Sequence, residues 1–489
     1  MSKAKAQPAY KSYFFDQGFK DIIIAIKNSW LENTSTALRY YTNYRARGIL
    51  SFTGFINLFS VFAVLSFGTL FFLIISATIL AIVCVVYVLG YIGFSIIWLV
   101  DRAYLHIRKI STACYECKTK SLIPTYICPD CGREHTDLTP GVYGVFKRKC
   151  LCGRKLPSTF FMGRKKLPAK CPHCGVSLSD RESRPFCIPI VGGRSSGKTA
   201  YITAFSKVFI DDIAKRKNLD IEIYNSEKEK IFNEIQNDYK FGSTRMTARA
   251  HDLGATSAVS FSFFVKNKKL KPERLVHIYD IAGEVFTQNS ENEIQKQYDY
   301  CQGIVFVVDP FAIPLVRYKY ENKLNLVDRA GIGRADLNGI IDNFLNKLRL
   351  VTGLADSQMS KVPLAVVIGK IDSAGLDENF SEEKIQKLRE ANPGLNYYDA
   401  MDYLARKFLS DMEMTSFLKT IDLSFKTNRY FVASAIGHSR DDGTYDPYGV
   451  VEPIEWIASI ADRDLADTFA EKNIPQKRAT SIRESEVNL

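Results

Sequence analysis

The chemistry of this chain is concentrated at Gly192-x4-Gly197-Lys198-Thr199, inside "VGGRSSGKTAYITAF". This spacing fits the phosphate-binding P-loop pattern in full. The loop residues Gly192, Gly193, Arg194, Ser195, Ser196 and Gly197 can turn their backbone N–H groups onto a polyphosphate. Lys198 reaches the β- and γ-phosphates, and Thr199 offers a hydroxyl to Mg²⁺. The context agrees: the apolar run "FCIPIV" predicts a buried strand before the loop, and a helix follows whose N-terminus favours an anion.

Four further stretches look as if they end at the same place. "RLVHIYDIAGE" is a strand ending in Asp280-x-x-Gly283, where Asp280 can hold Mg²⁺ through water and the Gly283 N–H can touch a γ-phosphate. "GIVFVVDP" (303–310) is another apolar strand. "PLAVVIGKIDSAG" ends in Gly369-Lys370-Ile371-Asp372, and "RYFVASAIG" ends in Ser434-Ala435-Ile436. Apolar strands separated by helical stretches predict an α/β domain, a doubly wound and mostly parallel sheet with its ligand at the strand C-termini.

A second chemistry lies upstream. Eight of the eleven cysteines fall in close pairs, Cys114/Cys117, Cys128/Cys131, Cys150/Cys152 and Cys171/Cys174. Beside an intracellular type of nucleotide site, this spacing points to metal rather than disulfides. The first two pairs are expected to form one tetrahedral Zn²⁺ site and the last two a second. So short a segment has few apolar residues for a core, so two structural zinc ions would supply its folding energy. His135 and His173 read as surface histidines. Cys84, Cys187 and Cys301 read as apolar filler.

The remaining feature is apolar. No charged residue or histidine occurs between Gly48 and Val100. A single helix of that length would extend about 80 Å at ~1.5 Å per residue, whereas a bilayer core needs only about 20 residues. The expectation is therefore a transmembrane hairpin with spans near 50–73 and 77–100. Arg39, Arg45 and Arg47 before it and Arg102, Arg108 and Lys109 after it place both ends in the cytoplasm. With no charge inside, the segment reads as an anchor rather than a pathway. Residues 101–186 carry seventeen Lys and Arg against seven Asp and Glu. Next to a membrane span this basic excess favours anionic lipid or a protein partner over nucleic acid.

The order P-loop, D-x-x-G, N-K-x-D-like and S-A-x resembles the TRAFAC-class GTPases over roughly 186–462. The resemblance implies binding and hydrolysis of GTP to GDP with Mg²⁺. By it, Asp372 would read the guanine edge, Lys370 would lie along the base and the P-loop, and the Ser434–Ala435 turn would present an N–H to the guanine oxygen. Glu284 stands where Ras-like proteins have a water-positioning Gln, and Arg194 where they have Gly, so both become candidates for assisting hydrolysis. Thr244 becomes the candidate switch threonine and a third Mg²⁺ contact. Gly369 replaces the family's Asn, which removes one contact to the base. The stretch from "HTDLTPGVYGVFKRKCLCGRKLP" through the P-loop to "DPFAIPLVR" is similar to the bacterial double-GTPase families. Those are associated with conflict and stress-response systems, which implies a bacterial inner membrane. Only one P-loop occurs in this chain.

These readings divide the chain into an amphipathic cytoplasmic segment (1–47), the hairpin (48–100), a tandem zinc-ribbon region (101–185), a P-loop GTPase domain (186–462) with an insertion at about 311–350, and a charged disordered tail (463–489). The expected function is a membrane-anchored GTP switch, slow without an unidentified activator or effector protein. The alternatives are a dynamin-like membrane remodeller and a P-loop ATPase with a nucleic-acid-binding zinc module.

Overall fold

The structure, a computed structural model, describes residues 7–479 except 115–116, 118, 179–181, 224–228, 231–232, 235, 238–259, 282–295, 325–332, 335, 356–357, 438–444 and 473. The chain forms two compact units, one of residues 1–109 and 123–172, the other of 110–122 and 173–489.

The first unit is built on two helices. Helix α1 (Gln17–Arg47) ends where Gly48 adopts φ 71°. Helix α2 (Phe52–Ile107) then runs for 56 residues, with a local π turn at Val64–Gly68. The expected turn near 74–76 is absent, so the hairpin is corrected to one continuous helix. Its cause is local: no proline or cluster of capping residues interrupts 52–107, so continuing the helix satisfies every backbone group. The reversal comes earlier, at 48–51, and α1 lies antiparallel along α2. Trp30 Nε1 donates to Ser76 Oγ (3.1 Å), and the Tyr87 hydroxyl donates to the Phe14 carbonyl (3.1 Å). Phe15 packs edge-on against Tyr87 and Tyr91. Among the described residues, α2 is the one helix long and apolar enough to cross a membrane.

The far end of α2 is locked into the cysteine-rich module. Asp101, 2% exposed, accepts from the Phe160 N–H (2.9 Å) and pairs with the fully buried Arg164 (3.0 Å). Arg164 also donates to the Leu138 and Ser158 carbonyls. Removing one partner of such a buried pair typically costs about 3–5 kcal/mol, because the other charge is left in an apolar site. Residues Ala9–Tyr10, inside the segment expected to be helical, instead form a strand paired with Lys147–Cys150.

The second unit holds a seven-stranded sheet: β1 (Arg184–Gly192), β2 (Asp220–Ile223), β3 (Ser260–Asn267), β4 (Leu270–Asp280), β5 (Ile304–Val308), β6 (Leu364–Ile368) and β7 (Asn428–Val432). The order is β2-β3-β4-β1-β5-β6-β7. The five strands from β4 to β7 are parallel, and β2 and β3 add an antiparallel edge. β5 and β6 are buried along their whole length, as expected of strands covered on both faces. Helix α3 (Lys198–Val208) packs on one face, with α8 (Glu452–Ala461) and α9 (Arg463–Phe469). Helices α4 (Leu337–Thr352), α5 (Glu382–Ala391), α6 (Tyr397–Asp411) and α7 (Thr415–Ser424) cover the other.

Two expected boundaries change. Within the expected insertion at 311–350, α4 buries Ile340, Ile341, Phe344, Leu345 and Leu348, so it is the crossover helix between β5 and β6. Only the chain before it is added. Residues 463–479 are not a loose tail: Leu465, Ala466 and Phe469 are buried, and Asp462 pairs with the buried Arg274 and with Arg184. Trp456 Nε1 donates to the Pro475 carbonyl (3.1 Å). A run rich in charge reads as solvated from composition, but here Asp464, Glu471 and Arg478 are ion-paired with Arg274, Arg216 and Asp422.

Glu455 holds this C-terminal segment by accepting from the Lys472 N–H (2.7 Å). Burial pushes its carboxyl up to about 7, against the pull of that N–H. The folded protein therefore holds the proton more tightly than the unfolded chain, and stability falls as pH rises from about 4.5 to about 7. Glu455→Gln keeps the acceptor without the charge. At pH 8 it should raise stability by about 2 kcal/mol, and the gain should vanish below pH 4.5. Denaturant melts of both proteins across this range check it; a pH-independent difference would contradict it.

Candidate nucleotide and metal sites

Parallel register brings the motifs of the second unit to one sheet edge. Ile190 pairs with Asp280, Gly192 with Val307, Val308 with Ile368, and Ile368 with Val432. The chain leaves this edge as the P-loop after β1, as Asp280 at the end of β4, and as the loops after β5, β6 and β7.

At Gly192 the backbone φ is 156°, and a Cβ there would lie 2.4 Å from the Val307 carbonyl, so only glycine lets the loop start this close to β5. Gly197, in the left-handed conformation, opens α3. Lys198 is buried and folds back on the loop, donating to the Gly192 (3.1 Å) and Gly193 (2.7 Å) carbonyls. Burial lowers its pKa and the nearby Asp280 carboxylate opposes that. Thr199 Oγ1 donates to Asp280 Oδ2 at 2.6 Å. A hydroxyl and a carboxylate side by side are hard oxygen donors of the kind Mg²⁺ takes. Arg194 is exposed on the loop, and Ser196 is buried beneath it.

The other half of the site gathers residues of the later motifs. Lys370 donates to the Ser195 carbonyl of the P-loop (2.7 Å), so it does lie along the loop. Ser434 Oγ donates to Asp372 Oδ1 and accepts from the Ile436 (3.2 Å) and Gly437 (2.7 Å) N–H groups. This brings Asp372 and the Ser434–Ala435 turn together. Gly369 donates its N–H to the Val308 carbonyl (3.0 Å), and a Cβ there would meet nothing closer than 3.7 Å. The backbone therefore does not require glycine at 369. Gly283, Glu284 and Thr244 lie outside the described residues. Sequence reasoning missed Asp309, a buried carboxylate 2.8 Å from Lys370 Nζ. "VVDP" looked like an ordinary strand end, and nothing local marks its partner.

The cysteines group differently from the expected sets. Cys114, Cys117, Cys171 and Cys174 come together, as do Cys128, Cys131, Cys150 and Cys152, with all sulfurs of a group within 4.8 Å of one another. The sequence-adjacent pairing is thus corrected to a nested one. Within the inner group, Cys128–Cys152 and Cys131–Cys150 are 3.6 Å apart; in the outer one, Cys114–Cys174 is also 3.6 Å. Zn–S bonds of about 2.3 Å imply tetrahedron edges of about 3.8 Å. The separations fit zinc and are far too long for disulfides. His173 is exposed, as expected, but His135 is fully buried, and burial with the adjacent Arg148 pushes it down to about 4. Neither histidine belongs to a cysteine group.

A P-loop with Thr199 on Asp280, at the C-terminal edge of a doubly wound sheet, defines a P-loop nucleotide-binding protein. Residues 187–418 match the family described as DO-GTPase2, Double-GTPase 2. The match spans the P-loop and the D-x-x-G and G-K-I-D motifs of the second unit. No curated protein matches the chain. Solved structures similar to it include the Arl6 (BBS3) small GTPase of Trypanosoma brucei, at 12% identity and TM-score 0.24, covering 57% of this chain and 99% of that one. The Ski7 GTPase-like domain of S. cerevisiae is 13% identical, TM-score 0.28, over 51% of this chain and 43% of that one, under half its length. The SRb-GTP/SRX complex of Chaetomium thermophilum is 13% identical, TM-score 0.25, over 57% and 97%. Likeness at this level does not bear on function.

If both cysteine groups hold zinc, purified protein should contain two zinc ions per chain by elemental analysis. Cys150→Ser should leave one, with Cys114 and Cys174 protected from alkylation and Cys128 newly reactive. Unchanged zinc content in Cys150→Ser would contradict the inner site.

Proposed function

We propose that this protein is a membrane-anchored molecular switch that binds GTP and hydrolyses it to GDP with Mg²⁺. One observation carries the reading: the phosphate-side pair Thr199–Asp280 and the base-side contacts Lys370–Ser195 and Asp372–Ser434 meet at one sheet edge. The N–H groups of 193–197 and the start of α3 bind the phosphates, and Lys198 exchanges the loop carbonyls for phosphate oxygens. Thr199 and Asp280 would hold Mg²⁺, with Thr244 as a third contact, and the ion would supply positive charge against the phosphates. Asp372 accepts from the guanine edge while the Ala435 N–H faces the guanine oxygen. Glu284 orients the attacking water, and Arg194, exposed on the loop, reaches the phosphates in cis. Such sites work mostly by positioning, so turnover is slow until a partner completes them.

Helix α2 supports membrane anchoring. At about 1.5 Å per residue it is roughly 84 Å long, well beyond a bilayer core of about 30 Å. One crossing uses part of its length without a break. The basic cysteine module would then meet anionic headgroups. A partner protein acting as activator or effector, a bacterial inner membrane and a role in defence or stress response rest on the family resemblance alone. A dynamin-like reading would need a long helical stalk on the GTPase domain, and the helices among the described residues of the second unit are short, α4 spanning 16 residues. A nucleic-acid-binding ATPase would need Asp372 and Ser434 to be idle.

Detergent-solubilised protein with Mg²⁺ should bind GTP in preference to ATP, and Lys198→Ala should abolish binding. Gly369→Asn, which the backbone accommodates, should tighten GTP binding several-fold by restoring a base contact. Asp372→Asn should shift preference toward xanthine nucleotides. ATP preference in the wild type, or GTP affinity untouched by Asp372→Asn, would overturn the guanine reading.

A further inference from the structure

We propose that Asp309 is the positioning residue of the nucleotide site. It holds Lys370 against the P-loop and ties that lysine to the added chain before α4, through Gly333. The inference rests on the GTPase reading and adds a residue and a coupling to it.

Asp309 follows β5 and is 3% exposed. Its Oδ1 accepts from the Phe311 N–H (3.0 Å), which fixes the carboxylate plane. Its Oδ2 takes two donors: Lys370 Nζ at 2.8 Å and the Gly333 N–H at 2.9 Å. Lys370 itself stands at φ 53°, a left-handed conformation that a non-glycine residue keeps only when its surroundings hold it. Its ammonium reaches both the Ser195 carbonyl and Asp309, and of these two Asp309 carries the charge. Without the carboxylate, the long ammonium side chain would regain rotamer freedom. The carboxylate therefore keeps Lys370 ready where the base motif meets the P-loop.

Gly333 makes the second half of the device. A Cβ there would lie 3.0 Å from both the Arg194 carbonyl and Asp309 Oδ2. The backbone at 333 thus rests directly on the P-loop, and a branched side chain would push it off. Because one oxygen serves both donors, moving Gly333 changes the field that Lys370 feels, and freeing Lys370 weakens the hold on Gly333. A partner pulling on the added chain would reach the nucleotide through this oxygen.

The test is a double-mutant cycle on full-length protein in detergent, reading GTP affinity and dissociation rate, with melting temperature as a check on folding. Asp309→Asn keeps the shape and loses the charge. It should weaken GTP binding roughly tenfold, chiefly through faster dissociation. Lys370→Ala should weaken it at least as much, and Asp309→Asn/Lys370→Ala no more than Lys370→Ala alone. Gly333→Val, which leaves every charge in place, should weaken binding several-fold in the wild type and not further in Asp309→Asn. If Asp309→Asn does not fold, Gly333→Val against Lys370→Ala gives the same cycle. Additive losses, or unchanged GTP affinity in Asp309→Asn, would overturn the proposal. GTP binding that still depends on Lys198 would then leave the GTPase reading standing. A wild type that binds no GTP would remove both.

Discussion

Parallel strands must end together for this site to exist. β1, β4, β5, β6 and β7 each contribute one loop, and their register sets Gly192, Asp280, Asp309, Lys370 and Ser434 within reach of one another. A slip of one residue in β4 would turn Asp280 to the other face of the sheet and separate it from Thr199. The register is held by full burial: β5 and β6 expose nothing, and a shift would leave large apolar groups and backbone bonds unmatched. The hydrophobic core on both faces is therefore what gives the polar edge its accuracy.

What could be read from sequence follows from how local each signal is. The P-loop states its own geometry, since Gly192, Gly197, Lys198 and Thr199 act within one turn and one helix end. The strands are continuous apolar runs, so the doubly wound sheet was legible too, whereas the approach of Lys370 to the loop was implied only by the family resemblance. The cysteine pairs were legible as pairs, but their partners were not. Spacing says that two thiols share a metal; it does not say which of the other pairs completes it. Folding decides that: Thr125–Ile127 pairs with both Glu134–His135 and Ala169–Lys170, the second of them far along the chain. Asp309 was illegible for the same reason. Its partners lie 24 and 61 residues away.

The membrane segment shows the limit of composition in another form. An uncharged run longer than one span invites a hairpin, yet a turn needs residues that can end a helix. Gly48 and Ser51 supply them at the very start of the run, and from Phe52 onward the helix continues unbroken. The polar groups that matter lie at its end. Asp101 closes the run, and its pairing with Arg164 makes the helix continuous with the inner cysteine module. The same module also takes Ala9–Tyr10 as an edge strand. The start of α1 and the end of α2, which lie at the same end of the helical pair, are thus both tied to this module, and a metal that ordered the module would also order the root of the helix.

Charge inside this protein is placed where motion would be costly. Arg164, Arg274 and Arg429 are fully buried, each with a carboxylate partner, Asp101, Asp462 and Asp399. Such pairs contribute little net stability compared with apolar packing, but losing one partner is expensive, so they fix geometry. Asp309 and Lys370 differ in one respect: the lysine is partly exposed and faces the nucleotide edge. A fully buried pair has one arrangement, whereas a pair open on one side can exchange partners when a ligand arrives. That difference separates an ion pair that only holds the fold from one through which a bound nucleotide and the chain before α4 can influence each other.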